Sequence, residues 1–426
     1  MLDLKFIREN REAVEKNCKN RGVATDVGLV VELADRRSGL IQDLNELKQR
    51  QNQIAKSVGR ERDEDARGRL IEESRGIKER IPEKEEELHE VEGRLREEQL
   101  KIPNMTHPDS PIGRDDTENV EIRRWGDIPA FDFETRDHVE IGESLGIIDF
   151  EAGAKTTGSK FYFLRGDAVL LELGLIRYAM DILVEHGYEP TITPDLARDD
   201  ALVGTGFIPR GSETQIYSIQ DSELSMIATA EITLAGQLAD EILDESKLPL
   251  RYAGLSHCFR TEAGSHGRAS RGLYRVHQFT KVEMFAFATP EQSEAIHEEM
   301  VGIEERIFQG LGLPYRVVDI CTGDLGGAAY RKYDLEAWMP GRGEAGEFGE
   351  VTSTSNTTDY QARRLAIRYR KEGGRPQLLH TLNGTALALS RVFIALLEVY
   401  QQEDGSVLLP GALIPYVGKE KIGTVS

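Results

Sequence analysis

A seven-residue recurrence of leucine near the start of the chain constrains the fold more than any other feature. Leu33, Leu40, Leu47 and Ile54 recur every seventh residue, with Val30 and Leu44 filling the intermediate seam. An apolar stripe of that period needs a partner along its length, because helices under-wound to meet it keep the stripe facing a neighbour. A charged, glycine-containing stretch follows (AKSVGRERDEDARGR, 55–69), after which a second stripe begins at Leu70 and Ile77 and runs through Ile81, Leu88, Val91 and Leu95. Two stripes around one break predict an antiparallel coiled-coil hairpin between residue 28 and about residue 102.

The stripe is imperfect. Arg37, Gln51 and Lys84 fall on seam positions, and Gly39, Gly68, Gly76 and Gly93 each weaken a helix by roughly 1 kcal/mol. From Lys48 to Arg80 there are ten Lys or Arg against seven Asp or Glu, in a chain of 426 residues with a formal net charge of −21. That acidic balance speaks against indiscriminate attraction to nucleic acid or to anionic membrane, so a polyanion has to dock locally. The distal hairpin is the place for it. Mixed charge on a coiled coil is, however, more often a solvated face, and most such hairpins mediate oligomerisation or spacing.

The three cysteines, Cys18, Cys258 and Cys321, are far apart and odd in number, which argues against a disulfide framework and against a cysteine-based zinc site. The N-terminus (MLDLKFIREN) lacks a signal-peptide core, and no apolar run approaches the roughly 18 residues of a membrane span. The expectation is a cytoplasmic protein with no membrane contact. In the segment IPNMTHPDSP (102–111) the residues Pro103, Pro108 and Pro111 cannot continue a helix, so the chain divides into an N-terminal helical domain, 1–110, and a second domain, 111–426. The second mixes helical and strand patterns, as an α+β fold does.

Within it, Val169, Leu173, Ile176, Met180 and Leu183 mark an amphipathic helix, and YEPTITPDL (188–196) reads as a strand ending at Pro194, suited to an edge or an interface. The richest block is FRTEAGSHGRASRGLYRVHQFTKVEMFAF (259–287), two strand-like ends around a loop rich in glycine and arginine. Strand alternation puts Arg260 with Glu262, and Phe279 with Lys281 and Glu283, on single faces. A guanidinium, carboxylates and a ring on one hairpin suit a nucleotide: the arginine clamps phosphate, the ring stacks on the base, a carboxylate receives an amino group. The bland alternative is a surface hairpin laced with salt bridges.

That block resembles the second signature motif of class II aminoacyl-tRNA synthetases, and its long form, AGSHGRASRGLYRVHQF, is similar to the seryl members in particular. Residues 168–194, a helix and then a strand with Pro194, match the first motif; LNGTALALSRVFIALLEVYQQ (382–402), with Gly384 and Arg391, matches the third. TAE at Thr229, Ala230 and Glu231, and EVTSTSNTTDYQARR from Glu350, point to serine. With the hairpin, the resemblance covers nearly the whole chain. Departures are small: Thr261 stands where serine is commoner, and Ser390 precedes Arg391 where glycine is frequent.

The resemblance implies an antiparallel sheet flanked by helices, a homodimer, and a two-step reaction using ATP and Mg2+. L-serine is activated to seryl-adenylate and passed to the 3′ end of tRNA(Ser), with tRNA(Sec) left open as a second substrate. By the same resemblance, Arg260 bridges the serine carboxylate and the α-phosphate, and Arg391 holds the γ-phosphate. Thr261, Glu262, Val276, Phe279, Glu350, Val351, Thr352 and Ser353 complete the ATP site, with Phe279 under adenine and Glu262 at its amine. Glu350 and Ser353 are the implied magnesium ligands; regular strand period puts them on opposite faces, so a bulge or strand end has to intervene. Thr229, Ala230, Glu231, Glu283, Asn383 and Thr385 surround serine. His266, Arg268, Arg271 and Arg275 make the loop positive and reach toward the tRNA end, while the hairpin grips the long variable arm of the tRNA. A relative that charges a carrier protein, and a catalytically silent paralogue acting as a scaffold, are the rival readings. The intact hairpin argues against the first, and the presence of Arg260, Glu350 and Arg391 against the second.

Overall fold

The structure, a computed structural model, describes residues 1–207, 215–262 and 271–423. The chain divides into two compact units, Met1–Met105 and Thr106–Ser426. The division falls inside the proline-bearing segment, five residues before position 110.

The first unit is built on two long helices, α1 (Val27–Val58) and α2 (Glu64–Lys101). Val30, Leu33, Leu40, Leu44 and Ile54 of α1 are buried, as are Ile77, Val91 and Leu95 of α2. All belong to the two stripes, whose other members Leu47, Leu70, Ile81 and Leu88 are half-buried. The break is shorter than the expected 55–69: both helices run into that stretch, and five residues, 59–63, make the turn. Asp63 explains the restart, since its carboxylate caps the new helix at Asp65 N–H, with Glu64 and Asp65 favouring its positive end.

Arg37 and Lys84, which looked like defects in the seam, reach across it instead. Arg37 pairs with Glu92 at 2.8 Å and Lys84 with Asp43 at 3.6 Å. Arg50 grips Glu73 through two bonds of 2.7 and 2.9 Å, and Arg36 and Lys48 meet Glu87 and Glu85. Each exposed pair adds at most about 1 kcal/mol, but together they fix which residues face one another. At the base, the amide of Asn17 and the guanidinium of Arg21 both donate to the Asn104 carbonyl, at 3.0 and 2.7 Å.

The second unit centres on an eight-stranded sheet. In chain order its strands are β1 (Val120–Trp125), β2 (Glu189–Ile192), β3 (Leu250–Phe259), β4 (Gln278–Ala288), β5 (Tyr315–Asp319), β6 (Arg331–Met339), β7 (Glu347–Asn356) and β8 (His380–Ala388). Across the sheet they run β1-β5-β6-β7-β8-β4-β3-β2, antiparallel throughout except for the parallel edge pair β2–β3. The alternation of β4 is consistent with its burial: Val282, Met284 and Ala286 join the main core, while Phe285 and Phe287 enter a smaller one on the other face.

The main core lies between that sheet and three helices, α4 (Asp167–Glu185), α6 (Ser293–Gly310) and α7 (Leu389–Val399). Two short helices complete the frame used below: α3 (His138–Ser144) and α5 (Glu231–Gly236), the latter packed over the smaller core. Helix α4 is apolar on two sides. Ala168, Leu171, Leu175 and Leu183 are buried in the core, but Val169 and Leu173 of the expected stripe are exposed, at 41% and 59%. Among the described residues no helix is long and apolar enough to cross a membrane.

Candidate functional site

One cleft gathers much of the expected nucleotide site. Arg260, Glu262, Arg275, Val276, Phe279, Glu350, Val351, Thr352, Ser353, Thr385 and Arg391 all line it. Strand β3 stops at Phe259, one residue before Arg260, so the expected alternation of Arg260 and Glu262 along a strand does not apply. Both still face the cleft. The chain leaves the sheet there through Glu262, whose φ of +49° turns it sharply.

The end expected to hold phosphate is organised by charge. Arg391, at the start of α7, bonds Glu350 through both its carboxylate (2.9 Å) and its carbonyl (3.0 Å). Desolvation would raise the Glu350 carboxyl, but Arg391, Lys332 and Arg260 outweigh it and hold it below the usual range. Arg260 and Arg391 therefore act on one carboxylate in one cleft. Arg260 also lies over the Phe279 ring at 5.3 Å.

Glu350 and Ser353 stand on the same wall because β7 carries the anticipated bulge. Thr352 opposes Leu335 and Glu350 opposes Glu336, which leaves Val351 without a counterpart. Val351 packs into the main core, and the Thr352 hydroxyl donates 2.8 Å to Glu304 of α6. The Thr352 hydroxyl is thus engaged with a helix of the main core.

The residues expected around the amino acid lie further along β4 and on its neighbours. Glu283 faces Thr385 of β8 across the sheet and is buried beside Lys281, whose ammonium pairs with it and donates to the Thr229 hydroxyl at 2.8 Å. Burial raises the Glu283 carboxyl, with Lys281 opposing. Glu231, the first residue of α5, accepts from Asn383 at 2.9 Å and from Gln361 at 2.6 Å. Burial pushes its carboxyl up to about 7, Glu283 adding to the rise and Gln361 opposing it. Ala230 is fully buried against Gly254 and contributes shape only. Gly384 is required by closeness: a Cβ there would stand 2.8 Å from the Thr354 hydroxyl.

The loop residues separate. Arg275 lines the cleft and pairs with Glu262 at 3.1 Å. Arg271 is largely exposed and pairs with Asp137 at 2.6 Å. Thr261 donates its N–H to the Gln215 carbonyl at 3.0 Å. His266 and Arg268 lie outside the described residues.

Sequence reading passed over several residues here. Lys281 was noted for its face but given no role, although the strand period that selected Phe279 and Glu283 selects it equally. Tyr274 has two guanidiniums over its ring, Arg391 at 4.8 Å and Arg342 at 4.3 Å from its centroid. Asp334, opposite Ser353, is buried, and burial with the nearby Glu350 raises its carboxyl against Lys332. No local pattern announces either one.

Comparison with known proteins matches residues 1–106 to the seryl-tRNA synthetase N-terminal domain, and residues 215–400 to the class II tRNA synthetase core domain described for G, H, P, S and T. A serine–tRNA ligase of Rubrobacter xylanophilus is 74% identical over 423 residues, 99% of each chain. One of Treponema denticola is 55% identical over 423 residues, covering 99% of this chain and 100% of its own. Among solved structures, seryl-tRNA synthetase from Pyrococcus horikoshii complexed with ATP superposes with a TM-score of 0.93 at 41% identity, covering 100% of both chains.

Proposed function

The chain belongs to the seryl-tRNA synthetase family, and on that premise we propose how its residues divide the work of a serine–tRNA ligase. The enzyme activates serine with ATP and transfers the seryl group to tRNA. Neither step needs a side-chain nucleophile, because the serine carboxylate is already ionised at neutral pH. The difficulty is bringing two anions together and stabilising the charge that grows on the phosphorus oxygens.

Arg260 bridges the carboxylate and the α-phosphate, and Arg391 holds the γ-phosphate. The observation that carries this division is that both guanidiniums line one cleft and act on the same Glu350. Adenine inserts against Phe279, taking the ring face that Arg260 covers, and its amine meets Glu262. Val276, Val351, Thr352 and Thr261 shape the wall through backbone and apolar surface. Glu350 and Ser353, two oxygen donors that the bulge puts on one side of β7, would hold magnesium. When bound it supplies counter-charge to the phosphates.

Serine sits with its ammonium toward Glu231, Glu283 and Thr229, and its hydroxyl toward Asn383 and Thr385. Polar groups left unpaired reject alanine, and lack of space rejects the extra methyl of threonine. Arg268, Arg271 and Arg275 meet the tRNA acceptor end. The distal hairpin holds the variable arm of tRNA(Ser) through backbone contacts, supported by exposed Arg60, Arg62, Arg67 and Arg69 around its turn. A second copy covers Leu173 of α4 and Ile192 of β2, the latter 82% exposed, making a homodimer.

Pyrophosphate exchange tests the reading. Serine alone among amino acids supports exchange, and Arg260→Ala lowers it by about a hundredfold or more. Removing the hairpin tip spares exchange and abolishes charging of tRNA(Ser); the same assay with tRNA(Sec) decides the second substrate. Equal loss of both activities on truncation contradicts a dedicated tRNA role for the arm.

A further inference from the structure

His138 and Glu398 lie outside the nucleotide cleft, are both buried, and take no part in the chemistry above. Glu398, in the last turn of α7, uses both carboxylate oxygens. One accepts the His138 backbone N–H at 3.0 Å and meets His138 Nδ1 at 2.8 Å; the other accepts the Gly341 N–H at 2.8 Å. On the far side of the imidazole, Nε2 lies 3.1 Å from the Leu273 N–H, which can only donate. Nε2 is therefore the acceptor, and the ring proton sits on Nδ1, directed at Glu398. This arrangement requires a neutral imidazole.

The contact is built closely. Gly272 adopts φ +65°, and a Cβ there would fall 2.1 Å from His138 Nε2 and 2.6 Å from Val139 Cγ2. Asp137 caps α3 through a reciprocal box with Glu140 and also pairs with Arg271. The start of α3 thus holds three consecutive residues, Arg271 to Leu273, at the point where the arginine-rich loop rejoins the cleft. One residue later, the Tyr274 ring meets the guanidiniums of Arg391 and Arg342, and its carbonyl accepts from Arg391 Nε at 3.5 Å.

We propose that His138 and Glu398 are positioning residues for ATP: the pair clamps the returning end of the loop to the helix that bears Arg391, holding Tyr274 against that guanidinium. The clamp joins both ends of α7 to the loop, Arg391 at its first turn and Glu398 at its last. It explains why a histidine, with an acceptor and a donor at fixed separation, occupies a buried site. The charged groups around the imidazole are Glu398 from α7, Asp137 and Arg271 beside it, and Arg342, Glu344 and Glu347 across the same cavity.

The inference rests on the role given to Arg391, and the test separates the two. Serine-dependent pyrophosphate exchange is measured for the full chain, His138→Leu and His138→Gln, with thermal melting as a check on folding. The glutamine amide can accept from Leu273 and donate to Glu398. His138→Leu is expected to raise the ATP KM by about tenfold or more while the serine KM stays within about twofold. His138→Gln restores most of the affinity. Equal rises in both KM values overturn the clamp, as does a glutamine variant whose ATP KM is raised as far as that of His138→Leu. Absence of serine-dependent exchange in the unaltered chain instead overturns the function itself, and the clamp with it.

Discussion

Glu231 combines two opposed requirements: it has to be ionised to hold an ammonium, yet burial and Glu283 lift its carboxyl to about 7. Serine binding selects the ionised form. Below pH 7 it must first displace a proton, so serine affinity falls by up to about tenfold per pH unit on the acid side and levels off above. The serine KM in pyrophosphate exchange, followed from pH 6 to 8.5, checks the sign; a flat profile would remove Glu231 from the ammonium site. Lys281 offers a companion test, since it alone balances Glu283 at close range on β4. In Lys281→Met the acid limb of that profile is expected to move to higher pH, with the ATP KM little changed. Legibility follows the same division between local and distant. Arg260, Phe279 and Glu350 could be read because each sits at a fixed offset inside a recognisable block. His138 and Glu398 could not, because what defines them is a contact between residues 260 positions apart.

At the scale of elements the hairpin was the most readable part, because a seven-residue period survives any local irregularity. Its turn was misjudged for a physical reason: Gly68 and nearby charge look like loop, but helix propensity costs are small beside a paired seam. The four glycines, Gly39, Gly68, Gly76 and Gly93, have nothing within 4 Å of a built Cβ. Each tolerates a methyl, so Gly76→Ala and Gly93→Ala should stabilise the hairpin by about 1 kcal/mol apiece, seen as slower amide exchange. Leu44 is the opposite case, buried on the seam; Leu44→Ala should cost about 2–5 kcal/mol, speed exchange in the distal arm, and lower aminoacylation without touching pyrophosphate exchange. Helix α4 was half readable. Its stripe of Val169 and Leu173 was plain in the sequence, but which of its two apolar sides meets the core depends on the sheet beneath it.

For the whole molecule, an acidic chain handling a polyanion divides its two activities by their response to salt. Charging of tRNA should weaken steeply as ionic strength rises, because it depends on cations displacing counterions along the arm. Adenylate formation, enclosed in its cleft, should change little over the same range. Assembly follows from exposure: Leu173→Asp together with Ile192→Asp puts charge on both apolar surfaces and should yield monomers by sedimentation. A double variant that remains dimeric would assign those residues to bare surface.

The unmatched Val351 changes how distance along β7 should be counted. Read as letters, the two oxygen donors are three steps apart; read as pleats, they are two. A relative one residue shorter at that point, with a regular strand, would offer the same pair to the cleft under a different spelling. A relative with one further insertion between the donors would keep the letters in order and bury the hydroxyl. Comparison by spacing alone would score both as damaged, although only the second has lost the pair.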